Sequence, residues 1–116
     1  MEITVTEAKG VAILNLKGRL DLSSGSLLKE QVKKLFEEEE FNVHLNLADV
    51  DFINSSGLGA LVSIMKETRI RKGRLTLSNL ASYVHEIFDI TQLSHIFEIF
   101  VSQEEALNSY QAVSAG

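Results

Sequence analysis

The chain contains no cysteine and no proline. Without cysteine there can be no disulfide, thiolate metal ligand or cysteine nucleophile, and the composition suits a reducing compartment. Without proline, every turn must rely on glycine, asparagine, aspartate or serine. Long apolar runs are missing too. The longest, around Leu58 to Met65, is far too short to span a bilayer. The opening residues Met1-Glu2-Ile3-Thr4 lack the basic and apolar segments of a secretory signal. The expected location is therefore the cytoplasm, with no membrane contact. Positive charge is scarce: 11 Lys and Arg stand against 16 Asp and Glu, for a formal net charge of −5. An acidic surface opposes direct binding to nucleic acid, where affinity depends on Lys and Arg releasing counterions from phosphates. Internal repeats and low-complexity segments are absent.

What is present reads as one domain. With 116 residues, 45% hydrophobic and 23% charged, the chain has the balance of an ordinary globular protein and buries enough surface for a single core without staples. Ile3 and Val5 alternate with Glu2, Thr4 and Thr6 as a first strand. Lys9-Gly10 turns the chain into a second strand, Val11 to Lys17, which Gly18 ends. Asp21 and Ser23 are the best N-caps for a helix whose buried stripe is Leu28, Val32 and Leu35, flanked by Leu27 and Phe36. The acidic run Glu37 to Glu40 opposes the helix dipole at its end and predicts early fraying. Val43, Leu45 and Leu47 alternate with Asn42, His44 and Asn46, a strand with one buried and one polar face. A loop from Ala48 to Ile53 leads into a second helix, about Ser55 to Lys72. Its core stripe is Leu58, Leu61, Val62 and Met65, and Gly73 stands where a left-handed C-cap belongs. Leu75 and Leu77 mark another strand, Tyr83, Ile87 and Phe88 a short helix, Phe97, Ile99 and Val101 a last strand, and Gln103 to Tyr110 a last helix. A mobile tail is expected over 111–116. The economical arrangement is an α/β domain over residues 1–110, a mixed four- to five-stranded sheet covered on one face by about four helices.

The informative segment is Asp49 to Gly59, in which a polar stretch ends in Asn54-Ser55-Ser56 at a helix start. A serine there caps free backbone N–H groups. Yet one cap needs one side chain, and three compete, so at least one hydroxyl is left over. Gly57 and Gly59 add no bulk beside it, and another protein could come close. A phosphate on such a hydroxyl would meet free N–H groups and the positive end of the helix dipole. It would bring about −1.5 to −2 charge units at neutral pH. On the same helix Gly57, Ala60 and Ile64 project to one flank of the core stripe, which fits either a partner surface headed by Ser55 or burial against the neighbouring helix. The cluster Lys66, Arg69, Arg71, Lys72 and Arg74 fits either the solvated end of a helix, where cations favour the macrodipole, or a docking patch for an acidic partner.

At these residues the sequence resembles a family. Asp49 to Gly59, ending in Asn54-Ser55-Ser56-Gly57-Leu58-Gly59, resembles the signature of anti-sigma factor antagonists of the STAS fold. Gly18-Arg19-Leu20-Asp21 resembles that family's other recurrent segment, and the order of elements matches along about residues 1 to 110. The resemblance implies partner switching. The unphosphorylated protein binds an anti-sigma factor that is also a serine kinase and frees the sigma factor. Phosphorylation at Ser55 abolishes binding, and a metal-dependent serine phosphatase resets the cycle. By the resemblance Asp21 lies near the phosphorylation site, serving either as a kinase contact or as a helix cap. Joined with the flank read from helix spacing, the expected partner surface is Asp21, Asn54, Ser55, Ser56, Gly57, Ala60 and Ile64. Asn54 departs from the acidic residue the family usually places before the phosphoserine; it keeps the capping ability and loses the charge.

Other chemistry finds little support. A serine nucleophile needs a base, and His44, His85 and His95 read as surface or boundary residues. No Gly-x-Ser-x-Gly elbow surrounds Ser55, and Gly57-Leu58-Gly59 lacks the remainder of a nucleotide-binding motif. The expectation is a non-enzymatic protein with no cofactor and no metal, monomeric when free. The alternative within the same fold is an interaction module in a non-sigma partner switch or a transporter complex, not necessarily phosphorylated.

Overall fold

The computed structural model describes residues 1–115, with side chains as far as Gln111. Five strands form one mixed sheet in the order β1-β2-β3-β4-β5. β1 (Glu2–Ala8) pairs antiparallel with β2 (Val11–Leu20), and β3 (Asn42–Ile53), β4 (Arg74–Ser78) and β5 (Glu98–Phe100) follow in parallel. Lys9 and Gly10, both at positive φ, close the β1–β2 hairpin, as a two-residue turn with the twist of its strands requires. The parallel connections are α1 (Leu22–Glu37), α2 (Ser55–Ile70) and α3 (Ser82–Ile90), the last followed by a 3-10 turn at Leu93–His95; α4 (Gln103–Ala115) ends the chain.

The in-register row Leu14, Leu45 and Leu77 shows how the core is built. These residues face α1 through Leu28, Val32 and Leu35, α2 through Leu58, Leu61, Ile64 and Met65, and α3 through Val84 and Phe88. The neighbouring row, Ile13, His44 and Thr76, points to the other side of the sheet. There α4 lays down Leu107 and Tyr110 against Val11 and Ile13. The sheet, its helices and the single domain are as the sequence reads, except that α4 packs on the face opposite the other three. The tail expected over 111–116 continues α4 as far as Ala115, and Gly116 lies outside the described residues.

That placement corrects the reading of His44. The residue alternates correctly out of the leucine core, but α4 covers the face it enters, and it is 0% exposed. Its Nδ1 lies 2.7 Å from Thr76 Oγ1 and its Nε2 2.7 Å from Ser78 Oγ. Thr76 Oγ1 continues to the Tyr110 hydroxyl at 3.0 Å, and that hydroxyl donates to the Val43 carbonyl at 2.9 Å. With the tyrosine proton committed to a carbonyl, Thr76 donates to Tyr110, His44 Nδ1–H donates to Thr76, and Ser78 donates to Nε2. One neutral tautomer satisfies the whole chain, and burial pushes the His44 pKa down to about 4.

Three local readings also change. Gly18 does not end β2. At φ +117 it sits at a register shift, and the strand runs on to Leu20. The residues read as a loop, Ala48 to Ile53, are the second half of β3, which carries one extra residue at each of two shifts against β2, the mark of β-bulges. At the end of α2 the left-handed residue is Lys72 (φ 60), not Gly73. Gly73 is required for a different reason: a Cβ there would collide with the Phe41 carbonyl oxygen.

Candidate functional site

Four parallel strands present their carboxyl ends on one side of the sheet. There the Asn54 N–H donates to the Leu20 carbonyl at 3.3 Å, tying the end of β3 to the end of β2. Asp21 follows one member of that bond, and Ser55 follows the other. The two motifs picked out in the sequence, 33 positions apart by their numbers (55 less 22 at the helix starts), are thus brought side by side as the first turns of α1 and α2.

Each turn is capped by the residue before it. Asp21 Oδ1 accepts the Ser24 N–H at 3.2 Å while Ser24 Oγ accepts the Asp21 N–H at 2.8 Å, a reciprocal capping box. The Ser24 backbone N–H, and after it the Ser24 hydroxyl, hold the Asp21 carboxyl below its ordinary range. The capping role read for Asp21 is therefore real, and the same carboxylate stays near the surface. On α2 the competition among three polar residues is decided for Asn54, whose Oδ1 accepts the Gly57 N–H at 3.0 Å. Ser55 and Ser56 are left exposed, with hydroxyls in no hydrogen bond among the described residues, over N–H groups that a helix leaves unpaired in its first turn.

The two glycines beside them differ. A Cβ on Gly57 would run into the Leu20 carbonyl, whereas a Cβ on Gly59 would meet nothing within 4 Å. Gly57 is dictated by the fold. Gly59 is not, although a glycine inside a helix costs about 0.5–1 kcal/mol relative to alanine. Its bare surface lies one turn below Ser55. Gly57→Ala is expected to destabilise the protein by about 1–3 kcal/mol through overpacking. Gly59→Ala is expected to stabilise it by about 0.5–1 kcal/mol and to weaken partner binding. Urea midpoints beside binding isotherms test the pair. Equal destabilisation by both would remove the distinction.

The flank Gly57, Ala60 and Ile64 is not a free surface. Ala60 and Ile64 are 7% and 3% exposed, and a Cβ on Gly25 of α1 would stand 2.8 Å from the Ala60 Cβ. Gly57 abuts the end of β2 while Ala60 and Ile64 face α1, so burial against the neighbouring helix wins for the latter two. A helical period locates the flank but does not say what lies beside it. In their place the structure brings forward Leu22, 71% exposed in the first turn of α1. The sequence offered one signal for it: a leucine directly after a cap precedes the buried stripe of its helix. Arg19 also stands at this end of the sheet, its guanidinium 3.9 Å from the centre of the Phe52 ring.

No hydrogen bond among the described residues joins a histidine to Ser55. His44 is engaged beneath α4, and His85 pairs with Asp89 on α3 at 3.2 Å. Nor do the described residues contain a cluster of three or more His, Asp or Glu that could hold a metal ion, or a helix long and apolar enough to cross a membrane.

Comparison with known proteins places this geometry. The STAS domain family model matches residues 2–106. An anti-sigma-B factor antagonist of Bacillus subtilis (strain 168) is 33% identical over 91 residues, covering 78% of this chain and 83% of that protein. The anti-sigma factor antagonist SpoIIAA shares the fold in its unphosphorylated form, with TM-score 0.74 at 19% identity over 95% of this chain and 98% of that one. Its phosphorylated form gives TM-score 0.73 at 19% identity over 94% and 99%. A sulfate transporter family protein of Wolinella succinogenes also shares the fold, with TM-score 0.83 at 18% identity over 96% and 93%.

Proposed function

We propose, from the premise that the chain belongs to the anti-sigma factor antagonist (STAS domain) family, that it works as a partner switch set by phosphorylation of Ser55. The observation that carries this reading is the division of labour at the start of α2. Asn54 does the capping, and the Ser55 hydroxyl is left exposed, without a hydrogen bond among the described residues, beside N–H groups of the first turn. A kinase needs such a hydroxyl, and the phosphate it adds needs donors that are already in place.

In its unmodified form the protein binds an anti-sigma factor that is also a serine kinase. Asp21, Asn54, Ser55 and Ser56 provide polar contacts, Leu22 an apolar one, and the bare turn at Gly59 allows close approach. Phosphorylation ends the complex, and a metal-dependent serine phosphatase restores it. The chain itself performs no catalysis and holds no cofactor; it acts in the cytoplasm as a monomer between complexes. Asn54 contributes an amide where a carboxylate would repel the phosphate, which favours persistence of the modified form.

The test is intact mass after incubation with ATP, magnesium and candidate anti-sigma kinases from the same genome, comparing wild type with Ser55→Ala and Ser56→Ala. One added phosphate that disappears only in Ser55→Ala is the expected result. A second reading is favoured by the fold shared with a transporter-family protein: an interaction module that is never phosphorylated. A candidate that binds tightly yet adds no phosphate would select it.

A further inference from the structure

The basic cluster read near the end of α2 does not stay together in space. Arg69 turns toward the 3-10 segment and donates to the Ile96 carbonyl at 3.1 Å, and Arg74 holds Glu98 at 2.7 Å. Arg71 goes to the α1 side, its guanidinium 5.8 Å from the centre of the Phe36 ring. There it meets Lys29 and Lys33 of α1 around an open groove of about 280 Å³.

We propose that this groove, between the carboxyl-terminal halves of α1 and α2, docks an acidic segment supplied by the same partner protein that reaches Ser55. The inference rests on the partner-switch reading and extends it to a second point of contact.

Charge selects the occupant. Lys29 and Lys33 lie one helical turn apart, a like-charged pair that weakens an isolated helix, and neither has an ion pair among the described residues. The carboxylate in the groove, Glu67, is already joined to Arg71 at 3.1 Å. The groove is thus left with unanswered positive charge on a protein whose net charge is −5. An acidic partner repelled by the rest of the surface is steered to it.

The floor adds little: Val32, Phe36 and Ile64 beneath the groove are 2%, 4% and 3% exposed, so the segment lies along the stems of Lys29 and Lys33, which offer apolar surface below their charges. Continuity with the switch sets the source. Groove and serine share one seam: the Gly25–Ala60 contact lies between them. From Ser55 to Glu67 is about 18 Å along α2 at 1.5 Å per residue, a distance that one partner spans. Such an arrangement separates holding from switching, because a phosphate at the top of the seam does not touch the groove.

A capped EELLEE peptide, titrated into the folded ¹⁵N-labelled protein, tests the groove without any kinase. Amide shifts at Lys29, Lys33, Ser63 and Arg71 are expected. Affinity should fall with added salt and be about tenfold weaker in Lys29→Glu/Lys33→Glu. Both lysines are exposed, so the variant is expected to fold. No shifts at millimolar peptide, equal shifts with a QQLLQQ peptide, or equally tight binding of citrate at the same amides would each overturn the proposal. The peptide assay does not involve Ser55, so its failure leaves the switch intact, and failure of phosphorylation leaves the groove to be judged by the peptide.

Discussion

Phosphate on Ser55 is expected to lower affinity for the anti-sigma partner by roughly 2–5 kcal/mol, or tens to thousands of times at about 1.4 kcal/mol per tenfold. The protein should remain folded as before. The reasoning joins two parts of the site. A dianion buried in an interface without a partner carries a large desolvation penalty, so binding suffers. In the free protein the same group rests on the unpaired N–H groups of the first turn of α2 and on the helix dipole. Moreover, the residue that holds the turn is Asn54 through Gly57, so modifying the serine removes no cap. Isothermal titration of modified and unmodified protein, with circular dichroism of each, separates the two effects. Loss of binding accompanied by unfolding would show that Ser55 supports the helix after all, and affinity within a factor of about two would sink the switch.

The second large effect concerns acid. His44 is fully buried, and its pKa of about 4 compares with about 6.5 for a histidine in the unfolded chain. Between these values the unfolded state binds a proton that the folded state refuses. Stability is therefore fully present above about pH 6.5 and declines toward pH 4, by about 3 kcal/mol over the interval at about 1.4 kcal/mol per unit. Below that both states are protonated and this contribution is level. Urea midpoints from pH 7.5 downward should fall accordingly, and the fall should flatten in His44→Gln. A variant with the same slope as wild type would assign the acid sensitivity to other groups. The mechanism has a structural reading too. A second proton on the ring would set Nε2–H against the Ser78 hydroxyl, so that Ser78 must turn from donor to acceptor and its own proton loses the ring as partner, while the bonds from Nδ1–H through Thr76 to Tyr110 keep their direction.

How far the sequence carried can be seen at particular residues. The apolar stripes of α1 and α2 and the alternation of Val43, Leu45 and Leu47 were legible because each records a periodicity within one element. What covers the other side of β3 was not. His44 depends on Thr76 and Ser78, 32 and 34 positions away, and Val43 is bonded by a residue 67 positions later. No local pattern encodes that. The same limit applies at the candidate site. Competition among Asn54, Ser55 and Ser56 was visible as composition, but the winner was set by backbone direction at the end of β3, where Leu20 anchors the Asn54 N–H. Bulges hid the second half of β3 as well, since the two shifts break the alternation that identifies a strand. The flank of Ile64 was located correctly on its helix and assigned to either of two neighbours; Gly25, which admits Ala60 so closely, decides for α1.

The course of the outer elements has a practical side. β1 runs antiparallel to β2, which sets Glu2 opposite Lys17 and brings Met1 to Gly18, at the same end of the sheet as Asp21 and Ser55. α4 leaves from that end and travels to the other, where Tyr110 reaches the Val43 carbonyl at the start of β3. A reporter, affinity handle or surface tether attached before Met1 would stand beside the serine and crowd whatever comes to modify it. The same attachment after α4 would hang from the far end of the molecule, with the length of the sheet between it and the switch.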